Sequence, residues 1–149
     1  MIRRATIRDI KQVQKLINFY ADKDEMLPRS LNELYENIRD FFVVEEKSGI
    51  VGCCALHVCW YDLGEIKSLA VLKSRQGRGI GARLLAACLE DARRLKLKKI
   101  FALTYQPLYF KKFSFHEIDK AHLPHKIWTE CIKCVKFPDC DEVALLKEI

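Results

Sequence analysis

Ser68-Leu69-Ala70-Val71, then four residues, then Gln76-Gly77-Arg78-Gly79-Ile80-Gly81: this stretch decides how the chain is read. The first part is the apolar run of a buried strand, and the last part opens an amphipathic helix. The glycines therefore fall in the turn between them. Glycine lets the backbone approach a ligand closely and adopt positive φ, so several N–H groups can converge on one anion. The helix behind adds its N-terminal dipole, and Arg75 and Arg78 add full positive charges. In physical terms the stretch is a pyrophosphate cradle. Two other phosphate motifs fit worse. A Walker-type loop ends in Gly-Lys-Ser/Thr, where this chain has Gly81-Ala82-Arg83. A dinucleotide fingerprint belongs in the first βα turn, with an acidic residue roughly 20 positions later, and this motif lies in mid-chain.

Outward from the cradle, Glu65 to Val71 reads as the preceding strand. From Ile80, apolar residues recur at Leu84, Leu85, Cys88, Leu89, Ala92 and Leu95, one face of a helix. Upstream, Ile2 to Ala5 predicts a short opening strand. Thr6-x-x-Asp9 predicts a cap for a helix carrying Ile10, Val13, Ile17 and Tyr20. Ser30-x-x-Glu33 is a capping box with Leu31, Leu34, Tyr35 and Ile38 behind it, and Asp24 to Arg29 is the loop between the two helices. Phe41 to Glu46 and Ile50 to Trp60 read as a hairpin around Lys47-Ser48-Gly49, and Asp62-Leu63-Gly64 turns the chain into the strand before the cradle. Downstream come a strand from Lys99 to Leu103, a short helix opened by Pro107, and strands from Phe115 to Ile118 and Glu142 to Leu146. The order predicts a mixed α/β (α+β) fold, a central sheet flanked by helices, with no repeat and no internal boundary.

At 149 residues, the chain reads as one domain burying roughly two-thirds of its extended surface. Half the residues are apolar and no tract is of low complexity, so disorder is not expected. No apolar run approaches the ~20 residues of a membrane span, and Met1-Ile2-Arg3-Arg4-Ala5 lacks the apolar core of a secretory signal. A soluble cytoplasmic protein is the expectation. The net charge of +6 is dispersed, which argues against a nucleic-acid partner. The denser basic segments, Arg75 to Arg83 and Arg93 to Lys99, flank the cradle and its helix; a polyanionic cofactor accounts for the first. Solvated helix surface accounts for much of the second, with Lys99 expected near the cofactor. Seven cysteines without a signal sequence argue against a disulfide framework. Cys53, Cys54, Cys59 and Cys88 fall on apolar stretches and read as core residues.

The cradle also resembles a known signature. Arginine or glutamine, two residues, Gly, one residue, Gly marks acetyl-CoA binding in the GNAT (GCN5-related) N-acetyltransferases, and Gln76 to Gly81 matches it behind a strand ending Leu69-Ala70-Val71. The element order matches that fold across essentially the whole chain. Acetyl transfer from a thioester to an amine needs a polarised carbonyl, an amine that loses a proton, and a proton for the leaving thiolate. The resemblance implies a pre-cradle strand that splays from its neighbour at a bulge. Leu69 and Val71 would then pair with the pantetheine arm, and a backbone N–H near Leu69 or Ala70 would polarise the thioester. The amides of Gln76, Gly77, Arg78, Gly79, Ile80 and Gly81 would meet the pyrophosphate. It further implies Glu65 as general base, often through water, with burial raising its pKa, and either Tyr109 or Thr104 as the acid for the thiolate. Members of the family often form homodimers.

Three stretches are similar to a narrower group, the N-acetylglutamate synthases of arginine biosynthesis: Leu27-Pro28-Arg29-Ser30, Gly64-Glu65-Ile66-Lys67-Ser68-Leu69-Ala70-Val71, and Phe101-Ala102-Leu103-Thr104. In that group an arginine before the second helix binds a substrate carboxylate, and Arg29 matches it. A guanidinium grips a carboxylate through two parallel hydrogen bonds. Relatives often show arginine soon after the Thr104 position, where this chain has Tyr105-Gln106, so Lys67 is the candidate for a second carboxylate contact. Glutamate, another small amine and a protein N-terminus remain alternative acceptors, beside a module that senses acetyl-CoA or metal without turnover. Cys131-x-x-Cys134 and Cys140 have zinc-ligand character, with His125 or His122 as a fourth ligand; a redox pair or unligated thiols are the alternatives.

Overall fold

The computed structural model describes residues 1–123 and 142–149. Cys131, Cys134, Cys140 and His125 lie outside the described residues, so the zinc reading has no structural counterpart here. Among the described residues no group of three or more His, Cys, Asp or Glu side chains could hold a metal. No helix among them is long and apolar enough to cross a membrane.

The described chain runs β1 (Ile2–Arg4), α1 (Ile10–Ala21), α2 (Leu31–Glu36), β2 (Phe41–Glu46), β3 (Gly49–Trp60), β4 (Leu63–Val71), α3 (Ile80–Arg94), β5 (Lys99–Thr104), α4 (Pro107–Lys111), β6 (His116–Ile118) and β7 (Val143–Glu148). The strands form one sheet ordered β1-β2-β3-β4-β5-β7-β6. Every neighbouring pair is antiparallel except β4 and β5, which run parallel. This is the mixed sheet that the element order predicts.

Helices cover both faces. The buried stripe of α1 (Ile10, Val13, Ile17) packs with Leu34 of α2 onto Phe41, Val43 and Cys53. On the opposite face, Leu84, Leu85 and Cys88 of α3 pack onto Val51, Cys54 and Ile66. Burying each of these leucines stabilises the fold by about 2 kcal/mol. The cysteines expected in the core are there: Cys53, Cys54 and Cys88 are buried and Cys59 partly so. Burial pushes the Cys53 thiol up to about 12, leaving it an inert packing group.

Two local details differ from the sequence reading. The β3–β4 turn is Tyr61-Asp62, not Asp62-Leu63-Gly64: Trp60 already pairs with Leu63, and Gly64 sits inside the strand. A Cβ at Gly64 would lie 2.9 Å from Leu97 Cδ1 and 3.0 Å from Leu56 Cδ1, so this glycine makes room for packing rather than for a turn. Half of the capping box at Ser30 forms: its Oγ accepts from the Glu33 N–H at 3.1 Å, while the Glu33 carboxylate takes the Arg29 Nε rather than the Ser30 N–H. Yet α2 ends at Glu36 rather than carrying on to Ile38. Asn37 Nδ2 donates to the Glu33 carbonyl at 2.8 Å, and the chain tightens into a 3-10 turn over Ile38–Asp40.

Candidate active site

Register along β4 creates the site. The β4–β5 pairing covers Leu63, Gly64, Glu65 and Ile66 against Lys99 to Ala102 and stops there. On its other edge, β4 pairs Lys67 with Ala55 and Ala70 with Cys53, so Ser68 and Leu69 together oppose Cys54. That is a β-bulge, and Ser68 takes φ +56° within it. Beyond Ile66 the parallel strands part, leaving the Lys67–Val71 edge of β4 without a β5 partner. A cleft of about 1370 Å³ opens at this point, bounded by the α1–α2 loop, the end of β4, the cradle and α4.

The cradle follows a 3-10 turn over Lys73–Arg75. Gly77 and Gly79 adopt φ +78° and +77°, the left-handed region where an L side chain is strained. Gly79 is the N-cap of α3. No side chain among the described residues caps that helix, and its first turn holds no acidic residue. The first N–H groups of a fifteen-residue helix therefore lack a capping acceptor. Among the described residues, a Cβ at Gly77 or Gly79 would meet nothing within 4 Å. This arrangement could hold a diphosphate: a helix N-terminus follows two left-handed glycines, and no carboxylate competes in the helix's first turn.

The charges predicted around the cradle are arranged differently. Arg75 lines the cleft, but its Nε is bound to Glu46 Oε1 at 2.7 Å, which holds the Glu46 carboxyl below its usual range. Arg78, between the two left-handed glycines, is exposed and does not line the cleft. Lys99 is not near the cradle at all. It sits at the start of β5, paired in register with Leu63 and 3.5 Å from Asp62, at the opposite end of the strand from the splay.

The other predicted residues converge. Glu65, Lys67, Leu69, Ala70, Val71, Gln76, Gly77, Gly79, Ile80 and Gly81 all line the cleft, as do Arg29, Thr104 and Tyr109. Glu65 is only 7% exposed and lies in register between His57 of β3 and Phe101 of β5. Arg29 is also buried. Its Nε donates to Glu33 Oε1 at 2.6 Å, its Nη1 donates to Ser68 Oγ at 3.0 Å, and its guanidinium lies 5.6 Å from the Phe41 ring centroid. The backbone of Arg29 is pinned as well. Asn18 Oδ1 accepts its N–H at 3.4 Å, and Gln14 Nε2 donates to its carbonyl at 3.1 Å.

Tyr109 and Thr104 part company. The Tyr109 ring is half-buried against Phe110 and Phe113, and a Cβ placed on Gly81 would collide with its Oη. The hydroxyl therefore sits over the first turn of α3, between cradle and splay. Burial pushes this phenol above its ordinary value. Thr104 Oγ1 instead accepts from the Gln106 N–H at 2.9 Å, which shapes the turn into α4.

Sequence reasoning missed His57 and Tyr20. His57 Nδ1 lies 2.8 Å from Asp40 Oδ2, and its ring lines the cleft beside Glu65. Its signal was an isolated polar residue in the apolar strand Cys54-Ala55-Leu56-His57-Val58. Tyr20 sits on the apolar stripe of α1, yet its hydroxyl donates to the Val71 carbonyl and accepts from Gln76 Nε2 at 2.7 Å. The Val71 carbonyl is thus already engaged within the protein.

Known proteins carry the same architecture. A model of the acetyltransferase (GNAT) family matches residues 7–115. An uncharacterized N-acetyltransferase of Chlorobaculum tepidum is 36% identical over 148 residues, 99% of this chain and 96% of that one. An amino-acid acetyltransferase of Mycobacterium tuberculosis is 36% identical over 133 residues, 87% of this chain and 76% of that one. The N-acetylglutamate synthase of Neisseria gonorrhoeae, solved with coenzyme A and N-acetyl-glutamate, superposes with a TM-score of 0.91 at 28% identity over 99% of this chain. The chain spans only 34% of that synthase's length. With the cradle, the splayed strands and these likenesses together, the chain belongs to the GNAT acetyltransferase family and is an N-acetyltransferase.

Proposed function

We propose that the protein transfers the acetyl group of acetyl-CoA to the α-amine of glutamate or a closely similar amino acid, the first step of arginine biosynthesis. The observation that carries this reading is Arg29: a buried guanidinium at the rim of the same cleft as Glu65 and the cradle. Its Nη2 has no partner among the described residues. A buried cation held by two neighbours, with one edge still open, is built for a carboxylate. An acceptor that is only an amine has no use for it. Lys67, also lining the cleft, is the candidate for the second carboxylate of a dicarboxylic substrate.

Each step falls to a named group. Acetyl-CoA supplies an activated thioester. The amides of Gln76 to Gly81 hold its diphosphate, and the free edge of β4 from Lys67 to Val71 orients its pantetheine arm. The N–H at Leu69 or Ala70 polarises the carbonyl. Glu65, directly or through water, takes the ammonium proton so that nitrogen attacks with a lone pair. As the C–N bond forms and the C–S bond breaks, Tyr109 Oη gives its proton to the departing sulfur. Its raised pKa keeps that proton in place at neutral pH. Thr104 is the weaker acid candidate, since its oxygen is engaged in the Gln106 turn.

The test is release of free thiol from acetyl-CoA with glutamate, glutamine, aspartate and a carboxylate-free polyamine. Preferential turnover of glutamate supports the reading. Turnover of the polyamine alone sinks it while leaving the family and the donor untouched.

A further inference from the structure

Tyr20 closes the buried stripe of α1, where spacing alone assigns it to the core. Its ring meets Phe19 edge-on at 5.1 Å. Its hydroxyl reaches out of the core, to the carbonyl of Val71 and the side-chain amide of Gln76. Gln76 Nε2 lies a further 3.5 Å from the same carbonyl, so three groups close on one another. Burial pushes the Tyr20 phenol up, the Gln76 bond pulls it down and the charge of Glu25 pushes it up again. The net rise keeps the proton that the hydroxyl donates.

Val71 and Gln76 bracket the 3-10 turn through which the chain enters the cradle. Beyond them come two left-handed glycines. Glycine has little conformational preference of its own, so the direction of the cradle N–H groups must be fixed by what holds the loop's base. Arg75 and Glu46 hold one side at 2.7 Å. The Tyr20 hydroxyl holds the other.

We propose that Tyr20 is a positioning residue for the donor's diphosphate: its hydroxyl clamps the Val71 carbonyl to the Gln76 side chain and so aims the cradle amides before the ligand arrives. Tyr20 itself touches no reacting atom. Aiming the donors in advance removes an ordering cost from binding, which appears as affinity rather than as chemical rate. The inference rests on the Gln76–Gly81 loop being the diphosphate site.

Tyr20→Phe keeps the ring and removes both hydrogen bonds. Calorimetric titration with CoA, in the absence of any acceptor, should show Kd raised about three- to tenfold. At saturating acetyl-CoA, kcat should stay within about twofold of wild type. Turnover of S-acetyl-N-acetylcysteamine, a donor with the thioester but no diphosphate, should be unchanged, whereas general loosening of the core would lower it too. Tyr20→Phe added to Gln76→Ala should weaken CoA binding no further than Gln76→Ala alone, since the two groups act as a unit. An unaltered Kd for CoA in Tyr20→Phe, or equal losses with both donors, overturns the clamp. A wild-type chain that binds no CoA overturns the diphosphate reading itself, and the clamp with it.

Discussion

Replacing Arg29 by lysine keeps the charge and removes the fork. The guanidinium donates from Nε to Glu33 and from Nη1 to Ser68, and Nη2 has no partner among the described residues, which leaves it for the proposed acceptor. An ammonium on a shorter, unbranched head cannot hold all three. The cost to the fold is small. Glu33 is 45% exposed in its side chain and returns to water, so an ion pair of this kind is worth under about 1 kcal/mol. The cost to substrate is larger, because a charge-assisted hydrogen bond to the acceptor's carboxylate is worth about 1.5–3 kcal/mol. At about 1.4 kcal/mol per factor of ten, KM for glutamate should rise about 10- to 150-fold. Saturating glutamate should restore kcat to within about threefold of wild type, since the contact holds ground state and transition state alike. Initial-rate thiol release at fixed, saturating acetyl-CoA reads both constants, with thermal unfolding as the control for stability. An unchanged KM for glutamate, or an equal rise for an amine lacking a carboxylate, would refute the assignment of Arg29 to the acceptor.

Three further outcomes follow from the same geometry. Glu65→Gln should lower kcat by about 10²- to 10⁴-fold while leaving CoA affinity as it is, measured by thiol release and by titration; unchanged turnover removes Glu65 as base. Tyr109→Phe should lower kcat by about 10²-fold. An acid works while protonated, and the Tyr109 pKa is raised, so wild-type kcat should hold level up to the ordinary tyrosine value and fall only above it. A descending limb well below that value, absent from the variant, would contradict this. Gly81→Ala should lower stability by about 1 kcal/mol, since the new Cβ meets the Tyr109 oxygen and the strain outweighs the gain in helix propensity. Adding Tyr109→Phe removes that oxygen and should recover the loss in denaturant unfolding, whereas additive losses would show that the contact is not the cause.

What could be read beforehand was whatever the chain encodes within a few residues. The hairpin, the Ser30 cap and the stripe of α3 are local patterns, and their elements stand where the spacing puts them, save that α2 stops short of Ile38. The cradle was legible because only glycine adopts φ near +78° cheaply, so Gly77 and Gly79 announce a loop before any fold is known. Charge pairing is another matter. Arg75 looked like a cradle cation until β2 brought Glu46 against it, and Lys99 looked near the cofactor until the β5 register put it at the far end. Glu46 lies 29 residues from Arg75 in the chain, and nothing in either neighbourhood marks the pair. Gln76 matched a motif letter, but its side chain turns back to Tyr20, 56 positions away.

Ser68 was the least legible residue and ties the two halves of the site together. A bulge that needs positive φ would be announced by glycine; here a serine takes φ +56° and leaves no mark in the sequence. The bulge interrupts the β4 ladder to β3 just past the last residue that β4 pairs with β5, on the edge proposed to take the donor's pantetheine arm. The same serine offers its Oγ to Arg29 Nη1, and its carbonyl accepts from Cys53 Sγ at 3.3 Å. The backbone feature that opens the donor side therefore also anchors the guanidinium assigned to the acceptor. Ser68 is thus one hydrogen-bonded link between the edge proposed for the donor and the guanidinium proposed for the acceptor, beside the Glu33, Asn18 and Gln14 contacts that also hold Arg29. Proximity of amine and thioester governs how often the bound pair is in reacting geometry. A glycine at the position would satisfy the backbone and still lose the anchor, which gives a physical reason for the polar side chain to stand where the φ angle alone would favour none.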